Sequence, residues 1–224
     1  MTRRIASVLF LIASAFAFAA PQVASADERS PAELANDTFK NRLDGSELVN
    51  SLRSGGFVIY FRHAQTEKDY ADQVTADVND GSTQRVLSEK GWHQAKGIGE
   101  AFRALGIPVG DVISSEYFRA WQTADLAFGR YEKNAALNFW PAEDYTDEQV
   151  RVVRDRVLPL VVAVPEDGLN TVIVGHDDPF EAISGIYPDP QGVAYVLKPT
   201  GTAFEVVARL PSERWTELAM EVEK

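Results

Sequence analysis

The amino-acid sequence predicts an α/β fold, a three-layer α/β/α sandwich with a mostly parallel central sheet. Three observations indicate this class. Short β-branched apolar runs alternate with stretches of helical periodicity, the pattern of strands joined by crossover helices. The first run, residues 57–61, is apolar throughout, as in a strand buried on both faces of a parallel sheet. The 224 residues, 45% of them hydrophobic, suffice for one domain with a sizeable core.

The N-terminal residues have the pattern of a secretory signal peptide. Arg3 and Arg4 precede an apolar run at 5–20, and Ala-Ser-Ala at 24–26 is a small-x-small cleavage pattern. The run is shorter than the roughly 20 residues of a bilayer-spanning helix, so we expect cleavage, with no membrane association after signal removal and a periplasmic or secreted location. The predicted organisation is a signal peptide at 1–26, a loosely ordered segment at 27–43 and a single domain at 44–224.

Charge and composition restrict the partners. The chain carries 33 acidic and 22 basic residues, a net charge of -11. Nucleic acids and anionic membranes are held by basic patches, so neither is expected to bind. The absence of cysteine excludes disulfides and thiolate metal sites. An anionic ligand would have to be bound by local positive charges, and the oligomeric state is left open.

The first half of the domain contains two predicted helices. One spans 44–52, opened by Asp44 and Glu47 in capping-box spacing and stopped by the glycines at 55 and 56. A polar loop is expected from about 67 to 85. Ser88 then caps the second helix, which Gly106 and Pro108 end.

The second half alternates strands and helices. Strands are predicted at 109–114 and 170–174, and a closing hairpin at 194–197 and 204–209. Ser115 is expected to cap a helix that starts at Glu116 and runs to Phe128. Thr146 and Gln149 form a capping box for another helix, which Pro159 should kink or break.

Reactive polar residues follow three of the predicted strands. The first strand ends at Arg62 and His63, the second leads to Arg119 one helical turn later, and the third ends at His176 and Asp177. Because ligands of open α/β sheets bind beyond the carboxyl ends of the strands, we expect these side chains to converge on one cleft.

These residue types together indicate phosphoryl chemistry. A guanidinium matches phosphate oxygens bidentately, and a helix N-terminus adds free backbone N–H groups. One imidazole can attack phosphorus, while a second donates a hydrogen bond to the transferring group. A metal site is disfavoured, because two histidines without cysteine are a poor ligand set and nearby arginines oppose a cation. The third histidine, His93, is expected at the surface.

At these residues the sequence resembles the histidine phosphatase superfamily, which includes the cofactor-dependent phosphoglycerate mutases, and its pattern is similar to the compact branch. The matching stretches are 61–66 (FRHAQT), 87–91 (LSEKG) with Gln94-Ala95, 114–124 (SSEYFRAWQTA) and 174–176 (VGH). Four stretches in the right order, over about residues 55–210, are a far more specific signal than an Arg-His pair.

The resemblance implies a phosphoglycerate mutase-like fold and a metal-independent, cofactor-free phosphomonoester hydrolase that acts on a small phosphorylated substrate. It implies that His63 is phosphorylated and that His176 is the second catalytic histidine. The residues implied to bind phosphate are Arg62 and Arg119, with Thr66 and Arg85 as weaker candidates. Purely structural roles remain alternatives for these residues. They are a salt bridge for each arginine, ordinary loop structure for Thr66 and Arg85, and a helix cap for Asp177.

A general acid must protonate the leaving alkoxide. In one branch of the family it is a Glu from the region after the helix that carries the second arginine, and in the other it is an Asp directly after the second histidine. Asp177 is preferred here because it adjoins His176, and Glu143 and Asp144 are the alternatives. The absence of a clear Glu-type acid also leaves open a catalytically weak phospho-ligand-binding protein. A phosphomutase is disfavoured by export.

Overall fold

The structure is a computed structural model that describes residues 29–67, 72, 76–140 and 145–222. The predicted signal peptide at 1–26 and its cleavage site lie outside the described residues. Among the described residues, no helix combines the length and the apolar character needed to cross a membrane.

The described residues form strands and helices in alternating order. The helices are α1 (Pro31–Asp37), α2 (Gly45–Arg53), α3 (Glu89–Leu105), α4 (Phe118–Phe128), α5 (Asp147–Val162), α6 (Asp177–Ser184) and α7 (Ser212–Val222). The strands are β1 (Val58–Arg62), β2 (Val109–Ser114), β3 (Glu132–Lys133), β4 (Asn170–Gly175), β5 (Ala194–Pro199) and β6 (Phe204–Leu210). Short 3₁₀ turns lie at Gly81–Thr83 and Ala135–Leu137.

The six strands form one mixed sheet in the order β3-β2-β4-β1-β5-β6. The pairs from β3 to β1 are parallel, and the β5–β6 hairpin adds two antiparallel pairings at one side. The predicted mostly parallel α/β sheet and its closing hairpin are confirmed. Parallel pairing places the carboxyl ends of β1, β2 and β4 side by side, which is what positions the candidate site.

Two hydrophobic cores cover the two faces of the sheet. Alternate residues of β1 point to opposite faces: Ile59 and Phe61 join a core with α2, α3, α4 and α7, whereas Val58 and Tyr60 join a core with α5 and α6. Helices on both faces explain why β1 and β4 are buried at every position and read as continuous apolar runs.

Several predicted boundaries are confirmed by the caps. Ser88 accepts a hydrogen bond from Gly91 N at the start of α3, and Gly106 ends that helix with φ 64°, a conformation that favours glycine. Thr146 and Gln149 form the predicted capping box of α5. Asp44 caps α2, but its carboxylate accepts from the adjacent Gly45 N, and the box with Glu47 is not formed.

Three expectations differ from the structure. Part of the segment expected to be loosely ordered forms α1, because Ser30 and Glu33 make a complete capping box and Pro31 occupies the first turn. Of the kink or break expected at Pro159, the break does not occur, because helix α5 continues through that proline to its end at Val162. Helix α4 starts at Phe118 and not at Glu116, and the Ser115 hydroxyl, besides accepting from Tyr117 N, is shared with Asn138 and His176.

Candidate active site

The candidate site lies where three parallel strands end at the same edge of the sheet. Arg62 of β1 is in register with Gly175 of β4, and Ser114 of β2 is in register with Val174. The residues that follow these strands are therefore neighbours. The predicted convergence is observed for both histidines, whose ring centroids are 5.4 Å apart.

His63 is held by two hydrogen bonds and is only 1% exposed. Its Nδ1 lies 2.8 Å from the Ala64 carbonyl oxygen, which can only accept, so Nδ1 carries the hydrogen. Its Nε2 lies 3.1 Å from Arg119 Nε, which can only donate, so Nε2 presents a lone pair. Burial and the positive charge of Arg119 hold the pKa of His63 well below its ordinary value. The imidazole is thus a neutral base with its nucleophilic atom at Nε2.

His176 is equally buried and is fixed through its backbone as well as its ring. The Tyr60 hydroxyl donates to the His176 carbonyl oxygen at 2.9 Å and accepts from its N–H at 3.2 Å. Gly175 makes room for this contact, since a Cβ there would lie 2.2 Å from the Tyr60 hydroxyl oxygen. The His176 Nε2 lies 2.9 Å from Ser115 Oγ. Burial, followed by the Arg119 guanidinium, lowers the pKa of His176 well below its ordinary value.

Arg119 extends from the first turn of α4 into the site and is 3% exposed. Besides its contact with His63, its Nη1 donates to Asp72 Oδ1 at 2.9 Å. Its guanidinium lies over the rings of Tyr117 and Phe139, at 5.3 and 4.9 Å from their centroids. The charge is buried because a carboxylate and two aromatic faces compensate for lost hydration.

Arg62 is also buried and makes its contacts through its two terminal nitrogens. Nη2 donates to Asp177 Oδ2 at 2.5 Å, and Nη1 donates to the Pro188 carbonyl oxygen at 2.9 Å and to Asp189 Oδ1 at 3.2 Å. The Tyr187 hydroxyl donates to the same oxygen of Asp177 at 3.0 Å. Asp177 therefore lies beside the site, as its adjacency to His176 predicts, and its Oδ2 accepts two hydrogen bonds there.

Thr66 and Arg85 border the site from the loop side. Thr66 pairs with Leu87 through an isolated antiparallel bridge, and its N–H and hydroxyl both donate to Gln191 Oε1. The Thr66 hydroxyl is therefore held by a glutamine in this structure. The backbone N–H of Arg85 donates to Asp72 Oδ1 at 2.7 Å, which joins Arg85 to the same carboxylate that holds Arg119.

A polar cleft of about 570 Å³ opens beside these residues. Its lining includes Arg62, Thr66 and Arg85 together with a set of mostly polar side chains: Gln65, Glu67, Lys90, Gln94, Asp189, Pro190, Gln191 and Glu213. Neither His63 nor His176 lines the cleft, so in this structure it ends at the arginines.

Three buried nitrogens of the site have no hydrogen-bond partner among the residues that the structure describes: Arg62 Nε, Arg85 Nε and His176 Nδ1. They come from three separate segments of the chain. Because buried polar groups are normally paired, these nitrogens are candidates for hydrogen bonds to a bound polar ligand. Two of the three atoms are N–H donors of guanidinium groups, which suits an anion with several oxygens.

The structure thus brings together the seven sequence-predicted site residues, His63, His176, Asp177, Arg62, Arg119, Thr66 and Arg85. Glu143 and Asp144, the other candidate acids, lie outside the described residues. Among the described parts of the chain, no group of three or more His, Asp or Glu side chains is arranged to hold a metal ion.

Sequence reasoning missed the partners of these residues. Asp72 and Asp189 pair with the arginines from loops without periodicity, and no local signal identifies them. Phe139 packs 4.8 Å from the His176 ring, centroid to centroid, and nothing in its neighbourhood points to the site. Ser115 could have been found, because it stands in the 114–124 stretch, but its spacing indicated a helix cap.

Comparison with known proteins is informative in sequence and in fold. Residues 58–138 match the model of the histidine phosphatase superfamily, branch 1. No curated protein matches the chain in sequence.

Among solved structures, YhfR of Bacillus stearothermophilus is similar with a TM-score of 0.50 and 18% identity, covering 68% of this chain and 95% of that one. A mycobacterial glucosyl-3-phosphoglycerate phosphatase in complex with VO3 has a TM-score of 0.49 and 18% identity, covering 68% and 97%. The protein histidine phosphatase SixA in complex with tungstate has a TM-score of 0.49 and 12% identity, covering 70% and 97%.

At these identities the structural similarity concerns the fold, which is phosphoglycerate mutase-like as predicted. The sequence match is independent of that fold and contains His63 and Arg119, two residues on which the resemblance rests. Residues 58–138 of the chain are thus similar to the histidine phosphatase superfamily, branch 1, in agreement with the resemblance carried by the sequence motifs.

Proposed function

We propose that the chain is a metal-independent phosphomonoester hydrolase that works through a phosphohistidine on His63. The observation that carries the proposal is the state of His63: a neutral, buried imidazole whose Nδ1–H is fixed by Ala64 and whose Nε2 lone pair lies beside Arg119. Members of the family are phosphatases or mutases, which supports a phosphoryl-transfer reaction in general.

In the first step, His63 Nε2 attacks phosphorus. The P–N bond forms as the bond to the leaving oxygen breaks, and the leaving alkoxide takes a proton. For this attack, the hydrogen bond from Arg119 Nε–H to the His63 Nε2 lone pair must break, and the same N–H then donates to a phosphoryl oxygen. That exchange places a charge-assisted donor where negative charge develops in the transition state.

In the second step, water attacks phosphorus and the P–N bond breaks. The electron pair returns to His63 Nε2, phosphate leaves, and the water gives up a proton. Arg62 and Arg85 support both steps, since their unpartnered Nε–H groups are donors available to phosphate oxygens. Asp177 is the proposed general acid, because it lies beside the site through its contacts with Arg62 and Tyr187.

The polar lining of the cleft supports a small, hydrogen-bonding leaving group. Among the described lining residues, Pro190 is the one that carries no polar side-chain group. A polar leaving group would therefore find hydrogen-bond donors and acceptors among the described lining residues.

The direct test is hydrolysis of nitrophenyl phosphate and a panel of phosphomonoesters in EDTA. Wild type and the His93→Ala control, which alters the exposed third histidine, are expected to turn over equally. His63→Ala is expected to lose at least 1,000-fold, on the order reported for loss of a nucleophile in a preorganised site. Equal inactivity of all three proteins would reject the proposal that the chain is a hydrolase.

A phospho-ligand-binding protein of the same fold is the second candidate, and one observation favours it. In this structure carboxylates already contact both arginines: Asp177 and Asp189 on Arg62, and Asp72 on Arg119. Tight binding of tungstate, a tetrahedral oxyanion, without hydrolysis of any ester in the panel would support this candidate.

We also propose that the protein is exported. The support is the sequence pattern of residues 1–26. Expression of the full chain in a bacterium, followed by mass measurement of the protein released from the periplasm, is expected to give a species that begins near Asp27. Retention of the whole chain in the cytoplasm would contradict export.

A further inference from the structure

Ser115 lies at the centre of a hydrogen-bond network whose directions are fixed. Asn138 Nδ2 donates to Glu116 Oε2 at 2.7 Å, which orients the amide group of Asn138. Its oxygen then accepts from Glu116 N at 3.0 Å and from Ser115 Oγ at 2.8 Å. The Ser115 hydroxyl hydrogen is therefore committed to Asn138.

This arrangement determines the tautomer of His176. A serine hydroxyl has one hydrogen, so Ser115 Oγ can only accept from its other neighbours. One of these is Tyr117 N–H at 3.2 Å, and the other is His176 Nε2 at 2.9 Å. Nε2 must then carry the hydrogen, and in a neutral ring Nδ1 presents a bare lone pair.

The two imidazoles consequently hold opposite tautomers. His63 is protonated at Nδ1 and bare at Nε2, whereas His176 is protonated at Nε2 and bare at Nδ1. Burial and nearby positive charge lower the pKa of both rings, so both are neutral near pH 7. The groups around His176 are Tyr60, Arg62 and His63 from β1 and the segment after it, Arg85 from the loop, Tyr117 and Arg119 at α4, and Asp177 and Asp178 on its own helix.

The three unsatisfied nitrogens of the site differ in what an anion would have to offer them. Arg62 Nε and Arg85 Nε are donors and are satisfied by the oxygens of a fully ionised tetrahedral anion. His176 Nδ1 is an acceptor, so an oxygen of the same dianion would face it lone pair to lone pair. A proton between them removes the conflict and turns a repulsion into a charge-assisted hydrogen bond.

We propose that phosphate dianion binding is coupled to uptake of one proton at Nδ1 of His176, and that Ser115 is the positioning residue that reserves this atom for it. The proton comes from solvent and forms an N–H bond with the Nδ1 lone pair. The resulting imidazolium donates to a phosphoryl oxygen through Nδ1 and to Ser115 through Nε2. This inference deepens the proposed function and rests on it for the identity of the anion.

The tautomers can be observed directly because the chain has three histidines. In protein labelled with ¹⁵N-histidine, long-range ¹H–¹⁵N spectra are expected to show His176 as the Nε2–H form and His63 as the Nδ1–H form. Exposed His93 serves as the reference for a solvent-accessible ring. A His176 ring with hydrogen at Nδ1 in the free protein would overturn the proposal.

Proton uptake is measured by titrating the full-length protein with tungstate at pH 7.5 in two buffers of different ionisation enthalpy. Wild type is expected to take up about one proton for each tungstate bound, as linkage requires of a group that is neutral when free and charged when bound. Binding without proton uptake would overturn the proposal.

Ser115→Ala and Ser114→Ala form a matched pair. Ser114 is an adjacent, equally buried serine whose hydroxyl donates only to the Ser115 carbonyl oxygen. Ser115→Ala is expected to let His176 populate the Nδ1–H form and to reduce the proton uptake, while Ser114→Ala retains both properties. An unchanged His176 tautomer and unchanged proton uptake in Ser115→Ala would show that Ser115 is not the positioning residue. If that variant does not fold, the tautomer and proton uptake of the wild type still test the proposal.

These outcomes are separable from failure of the proposed function. His63→Ala, which cannot form a phosphohistidine, is expected to keep the proton uptake on tungstate binding. A wild-type protein that binds tungstate with proton uptake but hydrolyses no ester would retain the inference and reject the hydrolase.

Discussion

The chemistry of His63 and His176 is set by single atoms around them. Each ring has one nitrogen whose hydrogen bond fixes the tautomer, Ala64 for the first and Ser115 for the second. The two imidazoles remain neutral beside the arginines because burial and the nearby positive charge both lower the pKa of each ring. In the proposed mechanism the nucleophile is already neutral and needs no separate base, so it is available over a wide pH range.

Asp177 supplies a prediction at the same scale. Asp177→Asn keeps the shape of the side chain and an oxygen acceptor for Arg62 but cannot transfer a proton. On alkyl phosphates, whose leaving groups need protonation, kcat/KM is expected to fall by about 100-fold or more, the usual contribution of a general acid. On nitrophenyl phosphate the loss should be under about 10-fold, because that leaving group departs as the anion.

The neighbouring Asp178→Asn is the control for this experiment. Burial, followed by the charge of Asp177, raises the pKa of Asp178 to about 6, and this carboxyl lines a different pocket, with Tyr145 and Glu181. Similar small losses in both variants would place the acid elsewhere, and a larger, leaving-group-dependent loss in Asp178→Asn would transfer the role to Asp178.

Helix α3 packs closely against two of the segments that carry site residues. Gly91 packs on the backbone of Gln65, two residues after His63, and Gly99 packs on the backbone of Ala127 in α4. A Cβ at either glycine would lie 2.0 Å from a carbonyl oxygen. The helix can approach the loop after β1 and the helix that carries Arg119 only because these positions lack side chains.

The third interior glycine of α3 provides a matched substitution. A Cβ at Gly97 would meet only Thr216 Oγ1, at 3.8 Å. Gly97→Ala is expected to stabilise the protein by about 0.5–1 kcal/mol, the helix-propensity gain. Gly99→Ala is expected to destabilise it by about 1–3 kcal/mol, the cost of overpacking. Urea unfolding measures both, and equal effects in the two variants would contradict the packing described for Gly99.

The elements show which parts of the structure are predictable from sequence. Strands β1 and β4 contain short apolar runs that are buried at every position, so their ends, and with them His63 and His176, could be placed in advance. The start of α4 could not, because the Ser115 hydroxyl is committed to Asn138 and His176, which are 23 and 61 residues away. Local cap chemistry cannot reveal such distant competitors.

At the scale of the whole molecule, a net charge of -11 surrounds a buried cluster of arginines. Asp72, Asp177 and Asp189 pair with that cluster from three segments that are distant in sequence. The contribution of Asp72 and Asp189 depends on the closed fold, which is why the sequence predicted the arginines and Asp177 but not these two carboxylates.

Folding also couples the two buried histidines to the stability of the molecule. Their pKa values are lowered in the folded state from the ordinary 6.5, so the unfolded chain binds more protons than the folded one below that pH. The two histidines therefore do not reduce the free energy of unfolding above pH 6.5, and they reduce it progressively as the pH falls below that value. At pH 5.5 each histidine is expected to cost about 1 kcal/mol relative to pH 8.

Thermal unfolding of wild type, His63→Gln, His176→Gln and His93→Gln across pH 5–8 measures this effect. The first two variants are expected to lose part of the pH dependence, and the exposed His93 variant to keep all of it. Identical pH profiles in the four proteins would contradict the burial of neutral histidines.

The phosphohistidine on His63 is the central claim, and rapid quenching in base tests it most directly. Wild-type protein is mixed with a ³²P-labelled phosphomonoester, quenched within one turnover and digested, because phosphohistidine survives base. We expect ³²P label on the wild-type peptide that contains His63 and no label on the corresponding peptide of His63→Ala. Turnover with label on another residue, or hydrolysis by His63→Ala at the wild-type rate, would contradict it.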